Sequence, residues 1–305
     1  MTDNIRQIFE YNIELLGDTD KAISYFREQQ YDKALTIVAN SIDQIKLVIE
    51  AIVKDQEYFN LVATESLLEM LTGILNAKKN KDFILLADLL ELQLINFLIG
   101  VQELIISKEE ILFDEEKYKV NLELLIQQGV GFDEDYKKPI NTEDLLDKGY
   151  RVEFTSCGLM TLAAQNEGAK FYFHTNSLIQ SEAFILAKSW DRPTKNKYIL
   201  YGFGMGYHVT ELLNITQTAE IEVYESDRNV LQLACAFADI SKLIENNRVK
   251  IIFDPSLQSL KQRIATIKED EELLIHYPSY KNIRDNENKA LLKSRLSWAE
   301  AIEAL

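Results

Sequence analysis

Proline and cysteine are scarce in this sequence. Four prolines and two cysteines stand among 305 residues. Cys157 and Cys235 lie far apart, which excludes a disulfide scaffold. They share no ligand spacing with His174, His208 or His276, so no metal site is expected. Positive charge is also short: 33 Lys and Arg face 49 Asp and Glu, for a net charge of −16. Such a field repels phosphate backbones and anionic lipid, which argues against nucleic acid and membrane as partners. Long apolar runs are missing too. The densest, "FILLADLLELQLINFLIG", is interrupted by Asp88 and Glu91, so no span of ~18–20 residues is expected. The start, "MTDNIRQIFEYNIELL", is polar and amphipathic and has no apolar signal region. These absences together predict a cytoplasmic protein whose acidity serves solubility.

Hydrophobic residues, by contrast, make up 47% of the chain, ample for packed cores, and the length suggests about two domains. Residues 1–130 predict a helical bundle. In "YDKALTIVANSIDQIKLVIEAIV", Leu35, Val38, Ile42, Ile45, Ile49 and Ile52 recur at steps of three and four, one apolar stripe on one helix face. Breaks are expected near "LGDTD", "EQQYD" and "AKKNKD", and short loops between long helices imply antiparallel neighbours. "AISYFREQQYDKAL" is similar to a tetratricopeptide-type helix pair, but no fixed period recurs, so it reads as an ordinary hairpin. Residues 131–150 are a charged linker with Pro139. Residues 151–305 change period: a small antiparallel meander, then a helix with Asn176 or Ser177 as cap, then alternating strands and helices from Tyr198 onward. That alternation predicts a Rossmann-like, mostly parallel sheet. The fold class is therefore α plus α/β.

The stretch "YILYGFGMGYHVTELL" concentrates the chemistry. A strand runs into Gly202, Gly204 and Gly206, and a helix follows at Tyr207 and His208. Glycines let a ligand approach the backbone, and the helix start supplies free N–H groups. The third glycine comes one residue too early for a dinucleotide fingerprint, and the Gly-Lys-Ser/Thr ending of a P-loop is missing. G-x-G-x-G is the pattern of S-adenosylmethionine-dependent methyltransferases. Glu225, at the end of the next strand, is placed to accept ribose hydroxyls, and Asp254 ends the strand after that. Both are candidate ligand contacts, with solvated strand ends as the alternative. Leu200 stands where methyltransferases carry an acidic residue. "HYPSY" echoes their Asn-Pro-Pro-Tyr motif with the Asn replaced, and His276 reads as a strand-end residue. No Ser-His-Asp or Cys-His set assembles from the sequence, so no catalytic residue is assigned.

Taken together, "FYFHTNSLIQSEAFILAKSW", the glycine stretch, "IEVYESDRNVLQLACAF" and "NNRVKIIFDPSL" resemble the N-terminal α/β region of the motility accessory factor (Maf) family. The family's S-x-Y-x-P-x-x-E-A element corresponds to "TNSLIQSEA", with Leu178 and Gln180 in place of Tyr and Pro. Its G-x-G-x-G-Y-H element corresponds to Gly202–His208, and its strand-ending Glu to Glu225. The resemblance covers roughly residues 150–280. It implies a bacterial protein of flagellin glycosylation, in which nonulosonic acids pass to Ser or Thr, with flagellin or another pathway protein as partner. The family's central MptE-like domain and its Gly-Pro-Ser-Leu motif have no counterpart. The resemblance thus implies an accessory or N-terminal portion of a glycosyltransferase, inactive on its own. An S-adenosylmethionine-binding domain and a structural scaffold with an empty loop stand as alternatives. A nucleoside-type ligand, S-adenosylmethionine or a nucleotide sugar, is the cofactor expectation.

Overall fold

The computed structural model describes residues 2–60, 62, 67–109, 115–131, 142–166, 168–293 and 295–296. Backbone contacts divide it into two compact units: Met1–Leu112 with Thr155–Leu159, and Phe113–Phe154 with Met160–Leu305.

The first unit is helical. α1 spans Asp3–Arg27, α2 Tyr31–Lys54, α3 Leu67–Lys79 and α4 Phe83–Leu89; a π turn at Leu90–Leu94 leads into α5, Ile95–Lys108. The expected breaks at "EQQYD" and "AKKNKD" are present. The one at "LGDTD" is not: α1 runs straight through it with Gly17 and Thr19 buried, so packing overrides the local turn propensity. Buried apolar residues repeat along α1 at Ile5, Ile8, Leu15, Leu16, Ile23 and Phe26. Between α1 and α5, Asn12 Nδ2 donates to Leu98 O at 2.6 Å and to Gln102 Oε1 at 2.9 Å. A buried amide pair of this kind fixes the register of two helices, because sliding either one strands a polar group.

The continuous helix Phe83–Lys108 is long and apolar enough to cross a membrane by length and composition, contrary to the expectation from the sequence. The two acidic residues that interrupt it are not idle. Arg27 donates to Asp88 at 2.6 Å and to Glu91 at 2.7 Å, while Leu86, Leu90, Leu94, Leu98 and Val101 are buried in the unit. These contacts account for the segment as a packed element of the helical unit.

The second unit begins with α6, Glu115–Gln127. The sequence reading counts this helix with the bundle. Its buried Asn121 instead donates to the carbonyls of Cys235 and Ala238, at 2.8 and 3.3 Å. The expected linker lies largely outside the described residues; its end forms a short α7, Thr142–Asp147. β1 (Tyr150–Phe154), β2 (Met160–Asn166) and β3 (Ala169–Tyr172) form the predicted antiparallel meander. α8 (Ile179–Trp190) is preceded by Leu178, with no side-chain cap from Asn176 or Ser177; Glu182 reaches back to accept from the Thr175 N–H instead.

The parallel sheet follows: β4 (Lys197–Tyr201), α9 (Tyr207–Ile215), β5 (Glu220–Glu225), α10 (Arg228–Phe237), α11 (Ser241–Ile244), β6 (Val249–Phe253), α12 (Gln258–Ile264), β7 (Glu271–Ile275), α13 (Tyr277–Asn282) and α14 (Asn286–Lys293). Strand order is β6-β5-β4-β7, all parallel. Alternation along β4 divides the cores: Tyr198 and Leu200 pack with α9, α10 and α11, whereas Ile199 and Tyr201 pack with α12 and α13. The chain therefore winds outward through β5 and β6 on one face and returns across the other to β7. The reversal makes a topological switch point between β4 and β7, where open α/β sheets hold their ligands.

At the opposite, amino end of the sheet, Arg263 donates to Glu222 at 2.8 Å and to Glu271 at 2.5 Å, and Lys197 pairs with Glu222 at 2.8 Å. The guanidinium pulls the Glu271 carboxyl down to about 2. Arg263→Met removes the donor that the two carboxylates share, leaving Glu222 to Lys197 and Glu271 to the Lys268 N–H. We expect it to lower unfolding free energy by ~1–3 kcal/mol in urea titrations, without altering any ligand or ion bound at the carboxyl end.

Candidate functional site

Two adjoining features occupy the carboxyl edge of the parallel sheet: a histidine cluster over the glycine loop, and an open cleft beyond β5 and β6.

The glycine loop turns as its sequence predicts. Gly202, Gly204 and Gly206 have φ of +102°, +51° and +84°, backbone that side chains rarely adopt. All of 202–206 is buried. The space above it is filled by protein. A Cβ on Gly204 would stand 2.9 Å from His174 Nε2 and 3.3 Å from His276 Cε1; one on Gly202 would stand 2.4 Å from Ser279 Cβ and 2.9 Å from His276 Cβ. The loop's donors are engaged as well. Phe203 N–H donates to Glu225 Oε2 at 2.9 Å, Met205 N–H to His174 Nε2 at 3.2 Å, and Gly206 N–H to Phe203 O at 2.9 Å. Phe203 and Met205 face inward and belong to the core.

The three histidines converge here from separate elements. His174 follows β3, His208 lies in the first turn of α9, and His276 follows β7. Each is buried. The rings of His208 and His276 stack with centroids 4.1 Å apart and planes inclined by 13°; His174 lies 5.2 Å from His276 and 5.4 Å from His208. Trp190 closes one side, edge-on to His208 at 5.7 Å. One ligand-competent atom from each histidine lies within 4.8 Å of those of the other two. Burial holds all three imidazoles below the usual 6.5, with His208 down at about 4. They are therefore neutral at physiological pH, the form in which imidazole binds metal. Sequence spacing concealed this, since no two of them share an element.

Glu225 is buried, and both its oxygens are taken by backbone: Oε2 by Phe203 N–H, Oε1 by Ser226 N–H at 2.9 Å and Asp227 N–H at 2.8 Å. It ties the end of β5 to the glycine loop. Burial, then the neighbouring Asp227, pushes its carboxyl up to about 7, against the three donors that favour the anion. Asp254 is buried too, and its Oδ2 accepts from Leu260 N–H at 2.8 Å, holding the first turn of α12. Tyr207 donates its hydroxyl to Met160 O at 2.9 Å and packs edge-on against His174, at 5.1 Å. His208 lies in the cluster, and Leu200 is core. The structure thus brings Gly202, Gly204, Gly206, Tyr207, His208 and Glu225 together, with Asp254 joined to Glu225 by a backbone bond at 2.9 Å and its side chain turned to α12.

The cleft was not legible in the sequence. It encloses about 630 Å³, and its walls include Ser226, Asp227, Arg228, Phe253, Asn282 and Arg284. Asp227 organises it: Oδ1 accepts from the Asn229 N–H at 2.9 Å, and Oδ2 from Asn282 Nδ2 at 2.5 Å and from the Tyr150 hydroxyl. Burial, then the Asp227 carboxylate, raises the Tyr150 phenol, which remains a donor. Asn282 Oδ1 is buried without a hydrogen-bond partner.

A family profile described as a domain of unknown function (DUF8042) matches residues 3–104, within the helical unit. No curated protein and no solved structure matches the chain.

Two outcomes test this account of the loop. Gly202→Ala should cost ~3 kcal/mol or more in the absence of any ligand, from a close backbone approach and a positive φ, and Gly204→Ala ~1–3 kcal/mol. Melting curves unchanged by both would refute the packed loop. The second outcome concerns pH. With its folded pKa above the usual 4.5, Glu225 contributes stability that is complete below 4.5 and is lost as pH rises through about 7. Between about pH 5 and about pH 8, wild type should lose ~2–3 kcal/mol relative to Glu225→Gln in urea unfolding. Parallel stability profiles for the two proteins would contradict it.

Proposed function

We propose that this chain is a cytoplasmic accessory portion of a Maf-like flagellin-glycosylation protein, and that its α/β unit holds a nucleotide-type ligand in the cleft beyond β5 and β6 rather than on the glycine loop. The observation that carries the ligand reading is the composition of that cleft. Phe253 offers an aromatic ring to a base. Asp227, Asn229 and Asn282 line the cleft with polar side chains of the kind that surround sugar hydroxyls. Arg228 and Arg284 offer guanidiniums to phosphate, in a protein whose net charge is −16. The family reading is supported by Gly202–His208 and Glu225. Its natural ligand is a nucleotide sugar of the CMP-nonulosonic acid kind.

No transfer chemistry is assigned to the chain. Its histidines are enclosed, and the Tyr150–Asp227 pair in the cleft wall is given no catalytic role. The helical unit would meet flagellin or another pathway protein; Leu68 and Ile84, 76% and 71% exposed, are apolar positions suited to such a contact. S-adenosylmethionine shares a nucleoside half and is the competing ligand. Its pattern of recognition places the ligand on the glycine loop, where His174 and His276 stand.

Thermal shift and calorimetry with CMP, a CMP-linked nonulosonic acid and S-adenosylhomocysteine separate these readings. The CMP compounds should stabilise by ~2.7 kcal/mol at ~100 times Kd. Arg284→Ala should weaken them about tenfold or more by removing a charge-assisted contact. S-adenosylhomocysteine should give nothing. Silence from all three at millimolar concentration overturns the cleft reading, and sugar transfer to flagellin by this chain alone overturns the accessory reading.

A further inference from the structure

We propose that His174, His208 and His276 form a buried site for one divalent first-row transition-metal ion, of which zinc is the reference case. The argument rests on where the lone pairs are. His208 Nε2 bonds to Gly202 O at 3.0 Å; a carbonyl only accepts, so Nε2 carries the proton and Nδ1 the lone pair. That Nδ1 is buried without a partner. His276 Nδ1 bonds to Ser279 Oγ at 2.8 Å, and its Nε2, beside the Phe173 backbone, makes no hydrogen bond of good geometry; in the tautomer that donates from Nδ1 to the Ser279 hydroxyl, Nε2 carries the lone pair. His174 holds its lone pair on Nε2, where the Met205 N–H at 3.2 Å is its partner; ligation by His174 exchanges that bond for the ion.

Two rings therefore have one nitrogen anchored and the other empty in the same enclosed space. Metal-binding histidines share this feature, an outer nitrogen that fixes the tautomer and an inner one left for the ion; because each lone pair lies in its ring plane, the stacked His208 and His276 rings turn apart to meet on one ion. An unmet acceptor buried this deeply costs about 1–3 kcal/mol, and an ion that satisfies His208 Nδ1 also selects the His276 tautomer with its lone pair on Nε2. The donor set selects its class. Three neutral imidazoles with no carboxylate suit zinc, cobalt, nickel or copper, and do not suit magnesium or calcium. His174, His208 and His276 are 2%, 0% and 1% exposed, so the ion would be enclosed during folding and not exchanged at the surface. Its role is structural: it joins the loops after β3, β4 and β7 at the switch point. This site is independent of the cleft, and either can fail without the other.

The test uses the full chain, unfolded in chelator and refolded with zinc or cobalt. After gel filtration, elemental analysis should find about one equivalent of metal, and the cobalt form should show the visible absorption of a low-symmetry nitrogen site. His208→Gln and His276→Gln should lose the metal. As both substitutions fall in a core, Ser279→Ala provides a second measurement. Ser279 is a positioning residue, and its loss should lower zinc affinity ~10–100-fold in chelator competition while leaving the metal-free melting curve close to wild type. Wild type that refolds to its native circular dichroism yet retains less than roughly a tenth of an equivalent overturns the site. So does a zinc affinity shared by wild type and His276→Gln, and so does one unchanged in Ser279→Ala.

Discussion

Glycine at 202 and 204 leaves room for imidazole rings, and the carboxyl edge of the sheet is built around that contact. A Cβ at either position would strike His276 or its neighbours. With the glycines in place, β4 turns into α9, His208 reaches back to the Gly202 carbonyl, and His276 settles against the same loop from the far side of the switch point. Glu225 fixes the loop from β5 through the Phe203 N–H. Three strands are thereby coupled through one five-residue turn. Its glycines are required by the protein's own side chains, whether or not a ligand is nearby.

This arrangement moves the ligand question sideways. In a nucleotide-binding α/β domain the loop after the first strand usually presents N–H groups to the ligand. Here those at Phe203, Met205 and Gly206 are already engaged. The polar side chains of the cleft, Asp227, Arg228, Asn282 and Arg284, lie beyond the end of β5 and along α13 and the residues after it. A ligand there would touch the ends of β5 and β6 and leave the glycine turn as its supporting wall. The helical unit rests on a different device, the Asn12–Gln102 amide pair, which sets register within an otherwise apolar interface.

Local pattern carried much of the fold. The change from a period near 3.6 to alternating strands and helices marked the α/β region. The β-branched runs at Ile199, Val223 and Ile251 marked buried strands, and "NEGA" marked a meander turn. Where local pattern failed, packing had overridden it. "LGDTD" looks like a break but lies inside α1, because Gly17 and Thr19 are buried there. α6 reads as one more bundle helix, yet Asn121 and Gln128 tie it to the carbonyls of the α/β unit. Both cases turn on partners that are distant in the chain.

The sequence by itself determined the sheet, the glycine turn and the acidic residue that closes it, because each depends on neighbours within a few positions. It also supplied the three histidines, but as isolated residues in unrelated contexts. Only the tertiary structure decided that they meet, that His208 Nδ1 keeps an unmatched lone pair among them, and that Glu225 spends both oxygens on backbone. The physical reason is the strand order. Placing β7 beside β4 brings His276 to the loop that β4 enters, and no spacing along the chain encodes that adjacency.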